Sequence, residues 1–443
     1  MTEKDIMSVS ILTDMHRIIE EWFDLWIPDY IERDIDHSLY LSKSRKIVSL
    51  TGCRRVGKTY IIFQLIDHLF RNGVEKERLI YVNFEDERII RKTDTLTSLI
   101  PTLIEKYGDR DYYLFLDELH VMPDWDIWLR RVFDRYRNFE FFITGSSSRL
   151  SIKELPTALR GRTVNLEIFP LDFNEYLSFN EINERSLHSE KGKAILMGQL
   201  NDYLVRGGFP EVVNEDDQRR RKLIVQDYFR TIITLDMAER HNLRNIGNIQ
   251  DYMKILLGTT IYSTNKLEKV FRSMGRKIGK ETLMDYSRYV EETYFGFFIP
   301  IFSFKIKDRL QYPRKFYVID TSFLSYILIR HNDDLGRYYE NVVALHLIKK
   351  FGMDNISYWK DRKGHEVDFI IKEGARVHKL IQVCCDIKDP KTKERELRAL
   401  MIASDELSCN DLLMIIKDKE YDDSVEGKNV SSISLLRFLM EET

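Results

Sequence analysis

Short apolar runs and helix-spaced apolar faces alternate along the first 170 residues of this chain. Residues 46–50 (Lys-Ile-Val-Ser-Leu), 79–84 (Leu-Ile-Tyr-Val-Asn-Phe), 112–116 and 139–144 read as buried strands, with 164–168 as a fifth. Between them, Ile62, Leu65, Ile66, Leu69 and Phe70 keep the three-and-four spacing of a helix, as do Trp125, Trp128, Leu129, Val132, Phe133 and Tyr136. The alternation predicts an α/β layer with a mainly parallel sheet. Ahead of it, Met15, Ile18, Ile19, Trp22, Phe23 and Trp26 line one face of a helix that Pro28 ends. That face either packs on a neighbour or offers a groove to a partner, and the segment up to residue 45 reads as a leader.

Beyond residue 172 the pattern turns helical and charged, including the run Arg219-Arg220-Arg221-Lys222, which reads as a solvated face. Residues 264–274 and 280–292 are two helices with Leu267, Val270 and Phe271, then Leu283, Tyr286 and Val290, turned inward. Residues 275–279 turn between them, and 297–304 with 315–319 would pair as strands. This is the order of a winged helix. The last portion reads helix 336–351, strands 356–360, 365–371 and 377–384, helix 389–406 and strand 412–416. The domains expected are therefore 1–45, 46–170, 171–246, 247–320 and 321–443.

Composition narrows the class. A chain of 443 residues exceeds one ordinary core, and 43% hydrophobic with 12% aromatic content excludes wholesale disorder. Net charge is −3, so a nucleic-acid role needs a local patch. Residues 264–315 supply one, with 12 Lys and Arg against 6 Asp and Glu. Arg276, Lys277, Lys280 and Arg288 are the expected phosphate contacts if DNA is the partner; the alternatives are a protein interface and a rigid spacer. No apolar run reaches membrane-spanning length, and the first residues lack a signal-peptide core, so a cytoplasmic location without membrane contact is expected. Cys53, Cys384, Cys385 and Cys409 lack metal-ligand spacing and read as reduced thiols.

The main chemical signal is Gly52-Cys53-Arg54-Arg55-Val56-Gly57-Lys58-Thr59, between the first strand and its helix. Glycines five apart let the backbone curl so that several N–H groups point inward at a helix start. Lys58 would reach the β- and γ-phosphates of ATP, and the Thr59 hydroxyl would take one position on Mg2+. Asp117-Glu118 ends the third strand, where the first carboxylate can hold the magnesium shell and the second orient or deprotonate water. The expected nucleotide contacts are Gly52, Arg55, Gly57, Lys58, Thr59, Tyr60 and Asp117, with Thr59 and Asp117 on the metal. His120 either senses phosphate or makes a local hydrogen bond. Ser146, past the fourth strand, either reports the γ-phosphate or caps a turn. Arg160 and Arg162 either offset charge on the leaving phosphate, in cis or in trans, or are surface residues.

In these residues the chain resembles the AAA-type ATPases of archaea and bacteria that join a P-loop domain to a C-terminal domain of unknown function with a restriction-endonuclease-like core. The stretches that carry the resemblance are 52–59, 114–120, 143–146, 159–162, 170–173 and 207–211. It implies a P-loop NTPase with a parallel five-stranded sheet, then a helical lid, a winged helix and a restriction-endonuclease-like α/β domain, with Glu118 as the catalytic glutamate beside Asp117. In such a core a helix glutamate, a strand aspartate and a Glu-x-Lys pair gather around metal, and Glu340 and Asp368 match the first two. At the third, this chain has Gln382-Val383-Cys384. Gln382 brings no charge and Cys384 cannot be cationic, so a nuclease fold without nuclease activity is expected; Lys388 lies just beyond. The function expected is an ATPase whose nucleotide state repositions the second half for DNA or partner engagement. The alternatives are an ATP-coupled nuclease and a slow ATP switch that holds a protein partner. The oligomeric state stays open.

Overall fold

The computed structural model describes residues 3–37, 45–145, 158–183, 187–328, 335–385, 389–417, 420–425 and 427–441. They form two compact units, Met1–Ile168 and Phe169–Thr443.

The first unit is built on β1 (Ile47–Thr51), β2 (Leu79–Asn83), β3 (Tyr112–Asp117), β4 (Phe139–Thr144) and β5 (Thr163–Glu167), all parallel, in the order β2-β3-β4-β1-β5. Every residue of β1 is buried, as expected of a strand covered on both faces. Because β4 lies between β1 and β3, the C-terminal ends of all three open on one edge of the sheet. That edge is where an open α/β sheet collects its ligands.

The leading helix, Glu3–Leu25, turns Met15, Ile18 and Ile19 into the same core as Leu96, Leu99, Ile100 and Leu103 of the helix Thr93–Tyr107. Its apolar face is thus core rather than a groove. Trp22 also donates from Nε1 to Leu79 O at 2.8 Å. The leader then follows the helix Lys58–Arg71: Arg33 N donates to Gln64 Oε1 at 2.9 Å, and Gln64 Nε2 returns a bond to Arg33 O at 2.7 Å. The helix Thr93–Tyr107 was not read from sequence, since its threonines and Pro101 mask the apolar spacing.

The second unit begins with the helices Phe173–Phe179, Glu190–Arg206 and Gln218–Thr231. The segment expected as a lid, 171–246, therefore packs within this unit. Helix Ile246–Leu257, β6 (Ile261–Tyr262), helices Thr264–Ser273 and Lys280–Glu292, β7 (Gly296–Ile299) and β8 (Arg314–Val318) follow. The three strands pair antiparallel in the order β6-β8-β7. The expected ribbon is real but β7 is shorter than 297–304, and the two-residue β6 is too short to show a period in sequence.

Helix Leu335–Phe351 leads to β9 (Ile356–Lys360), β10 (Glu366–Glu373) and β11 (Arg376–Cys384), an antiparallel meander. Helix Pro390–Leu407 then returns the chain to β12 (Leu412–Ile416), parallel to β11. β13 (Tyr421–Val425) and β14 (Lys428–Ser434) extend the sheet, giving β13-β14-β12-β11-β10-β9. Val367, Ile370, Leu380, Leu400, Leu412 and Met414 form its core.

Two of the sequence stretches noted above meet here. Leu171 N donates to Gly208 O at 2.7 Å, and Gly208 N donates to Asp320 Oδ2 at 2.6 Å. Gly207 has φ +76, and a Cβ on it would fall inside the carboxyl group of the buried Asp320. Gly207→Ala combines left-handed strain with a clash that the held carboxylate cannot relieve, so a loss of about 3 kcal/mol or more is expected. A lowered urea midpoint with unchanged slope would register it; a midpoint equal to wild type would refute it.

Candidate functional site

The loop after β1 has three left-handed or near-forbidden backbone positions: Gly52 at φ +149, Arg55 at +66 and Gly57 at +95. A Cβ on Gly52 would collide with Ile168 O, so only glycine lets the loop leave the strand here. Gly57 then precedes the helix Lys58–Arg71, whose first N–H groups have no partner from within the helix. Cys53 and Val56 are fully buried beneath the loop. Lys58 is buried as well, and its Nζ donates to Gly52 O and Cys53 O, each at 3.1 Å. Arg55 and Tyr60 stand exposed, with the Tyr60 ring edge-on to Phe63 at 5.8 Å.

The loop and β3 meet through one bond: Thr59 Oγ1 donates to Asp117 Oδ2 at 2.8 Å. Asp117 also accepts from Tyr81 OH at 2.9 Å on the same oxygen, and from Thr144 Oγ1 on the other. Burial pushes the Asp117 carboxyl up from its ordinary range, while the hydroxyls of Thr144, Thr59 and Tyr81 oppose that push. Glu118 turns out of the strand with φ +52, and its N–H donates to Thr144 Oγ1 at 2.9 Å. His120 Nδ1 lies 3.1 Å from Glu118 Oε2. Burial pulls the Glu118 carboxyl up, but the His120 hydrogen bond and the charge of Lys58 outweigh it and hold the group below its usual range. Glu118 is thereby kept as a carboxylate at neutral pH.

This set fits a nucleotide with magnesium. Thr59 and Asp117 bring hard oxygens together, the helix start offers N–H groups, and Lys58 adds a cation at the same edge. Of the expected residues, the structure therefore gathers Gly52, Gly57, Lys58, Thr59, Asp117, Glu118 and His120. Thr144 was missed: a threonine ending a strand looks like any β-former, and only its two bonds reveal it. Ser146 lies outside the described residues. Arg160 and Arg162 sit at the opposite end of β1, since Ile47 N bonds to Arg162 O and Thr163 pairs with Ile47. The Arg162 guanidinium is held on Asp134 by two bonds of 2.9 Å, and Arg160 is exposed. Within one chain neither reaches the loop.

In the second unit, the basic stretch is largely countered. Arg276 pairs with Asp251, Lys280 lies 4.0 Å from Glu268, and Arg288 lies 3.0 Å from Asp285 and 3.6 Å from Glu292. Lys277 is exposed. Lys315, one of the twelve cations counted there, is buried instead against Glu340, Glu366 and Asp368. Gln382 is spent on protein bonds: its Oε1 accepts from Asp368 N at 3.2 Å and its Nε2 donates to Glu396 Oε2 at 2.6 Å. Cys384 is buried at the end of β11. Lys388 lies outside the described residues.

Comparison with known proteins agrees with the first unit's geometry. Residues 44–177 match an AAA domain, residues 197–334 a domain of unknown function (DUF8612), and residues 335–436 another (DUF4143). An uncharacterized protein of Methanocaldococcus jannaschii is 35% identical over 93% of this chain and 89% of its own length. An uncharacterized protein of Haemophilus influenzae is 22% identical over 77% of this chain and 82% of its own. Among solved structures, the Walker-type ATPase PABY2304 of Pyrococcus abyssi aligns with 14% identity and a TM-score of 0.42 over 71% of this chain and 95% of that one. Among the described residues no helix is long and apolar enough to cross a membrane. With its AAA-type, ATP-binding P-loop domain, the chain belongs to the family of the Methanocaldococcus jannaschii protein.

Proposed function

We propose that the first unit hydrolyses ATP with Mg2+ and that the second unit uses the nucleotide state to engage DNA without cutting it. The observation that carries the hydrolytic half is the 2.8 Å bond from Thr59 Oγ1 to Asp117 Oδ2, with the next residue, Glu118, braced by His120. Thr59 and Asp117 would hold the metal, and bound magnesium supplies a Lewis acid that neutralises charge on the phosphate oxygens. Lys58 has three N–H donors and uses two on loop carbonyls, so the third suits a phosphate oxygen. Glu118, an ionised carboxylate turned out of the strand, orients the attacking water and accepts its proton. Thr144 ties the Asp117 carboxylate to the backbone turn at Glu118, donating to the first and accepting from the Glu118 N–H.

Support for DNA comes from topology. Helix, short strand, two helices and an antiparallel strand pair, with the last strand between the other two, is an order that fits a winged helix, and Lys277, Lys280 and Arg288 lie on or just before the helix Lys280–Glu292, exposed. Support for a restriction-endonuclease-like core comes from the meander β9-β10-β11, the crossover helix and the parallel β12. Gln382 and Cys384 on β11 leave that core without its charged third element.

The test is ATPase rate and duplex affinity across a salt series. DNA is expected to raise the rate, and Lys277→Ala with Lys280→Ala to flatten the slope of log affinity against log salt by about 2. If both substitutions leave affinity and slope unchanged, the second unit engages a protein partner instead.

A further inference from the structure

A lysine is rarely hidden unless its charge is matched, and Lys315 of β8 is 2% exposed. Its Nζ lies 3.0 Å from Glu340 Oε1, 2.8 Å from Glu366 Oε1 and 2.7 Å from Asp368 Oδ1. Glu340 comes from the helix Leu335–Phe351, while Glu366 and Asp368, two apart on β10, face one side of the strand. An ammonium has three protons, and here each has a carboxylate. The same carboxylates are held by further donors: Tyr317 OH to Glu340 Oε1 at 2.5 Å, Lys360 Nζ to Glu366 Oε2 at 2.8 Å, and Val383 N to Asp368 Oδ2 at 2.9 Å.

We propose that the Lys315 ammonium is a built-in cation standing where a divalent metal would otherwise sit among Glu340, Glu366 and Asp368, so that this site is closed to metal in the native chain and becomes metal-binding when the ammonium is removed. The spacing is that of N–H···O bonds; Mg2+ would draw the oxygens in to about 2.1 Å and Ca2+ to about 2.4 Å. Burial alone would discharge Lys315, but Asp368 and Glu340 hold it protonated far above the usual lysine range. Charge also explains why the emptied site takes a divalent ion. Burial raises the Asp368 carboxyl to about 7, and once it is ionised, three carboxylates against Lys360 alone leave two negative charges that one divalent ion balances.

Manganese titration of the nucleotide-free full chain, followed by electron paramagnetic resonance and by melting temperature, tests this. Wild type is expected to bind no Mn2+ that Asp368→Asn removes. Lys315→Met is expected to melt lower in chelator, to bind one Mn2+, and to recover by about 5 °C or more at a hundredfold excess over its Kd. Lys315→Met with Asp368→Asn should lose that recovery. Mn2+ binding by wild type that depends on Asp368 would overturn the proposal, as would a folded Lys315→Met with no metal-dependent rise. If Lys315→Met folds only when Mn2+ or Ca2+ is present, the proposal stands; if it fails to fold with metal too while the double variant folds, the site does not accept metal and the proposal fails.

Discussion

Lys58→Ala is expected to lose nucleotide binding while keeping its fold. The lysine is buried under its own loop, and its ammonium is the cation that the structure brings to the phosphate edge beside Asp117 and Glu118. Removing it takes away a charge-assisted bond to a polyanion in a partly desolvated site, worth about 3 kcal/mol or more, or at least a hundredfold in affinity. Alanine is the best helix former and sits at the first helical position, so the helix Lys58–Arg71 should persist. The loss should therefore appear in binding of a fluorescent ATP analogue and in phosphate release, with the melting temperature near wild type. Hydrolysis by Lys58→Ala at the wild-type rate would remove the basis for the nucleotide reading.

The parts of this protein that were legible in sequence are those whose chemistry is written in adjacent residues. Gly52 to Thr59 announces itself because backbone strain at Gly52 and Gly57 and the ammonium and hydroxyl of Lys58 and Thr59 all fall within eight positions. Asp117 and Glu118 were readable because a buried strand that ends in carboxylates is unusual beside such a loop. What escaped depended on register. Arg160 and Arg162 follow the fourth strand in sequence, but parallel pairing of β5 on β1 carries them to the far end of β1, where Arg162 meets Asp134. Thr144 was overlooked in favour of Ser146, since no local rule separates a terminal strand threonine that binds two carboxylate-bearing residues from one that merely favours a strand.

Lys315 is the plainest case. In sequence it is one of twelve basic residues in a stretch for which a nucleic-acid patch is one of three readings. In the fold, β8 is the central strand of its sheet and turns this cation toward β10 and the helix Leu335–Phe351, where Glu340 and Asp368 already stood as a matched pair without a cation. Only the pairing of β8 between β6 and β7 converts a surface charge into an interior one. Glu366 was missed for a related reason: the resemblance pointed to Asp368 alone on this strand, and nothing local marks the acid two residues earlier as sharing its face and its cation.

Glu118→Gln separates binding from turnover, and its expected result is a chain that takes up ATP yet hydrolyses it at least about a hundredfold more slowly. Thr59 and Asp117, the residues proposed to hold the metal, and Thr144 beside them are untouched by this change, and the Glu118 N–H bond to Thr144 Oγ1 is a backbone bond that glutamine keeps. Glutamine is also no worse than glutamate at φ +52. What disappears is the negative charge that Lys58 and His120 hold in place, and with it the ability to accept a proton from water. Single-turnover measurement with radiolabelled ATP distinguishes the two steps: bound ATP should persist on Glu118→Gln and be cleaved on wild type. Because His120 braces the carboxylate, His120→Ala in the same assay should slow cleavage less than Glu118→Gln does, leaving the base present but poorly aimed. Equal rates for wild type and Glu118→Gln would mean that water is activated elsewhere, and that the turn at residue 118 serves only to set Asp117 on the metal.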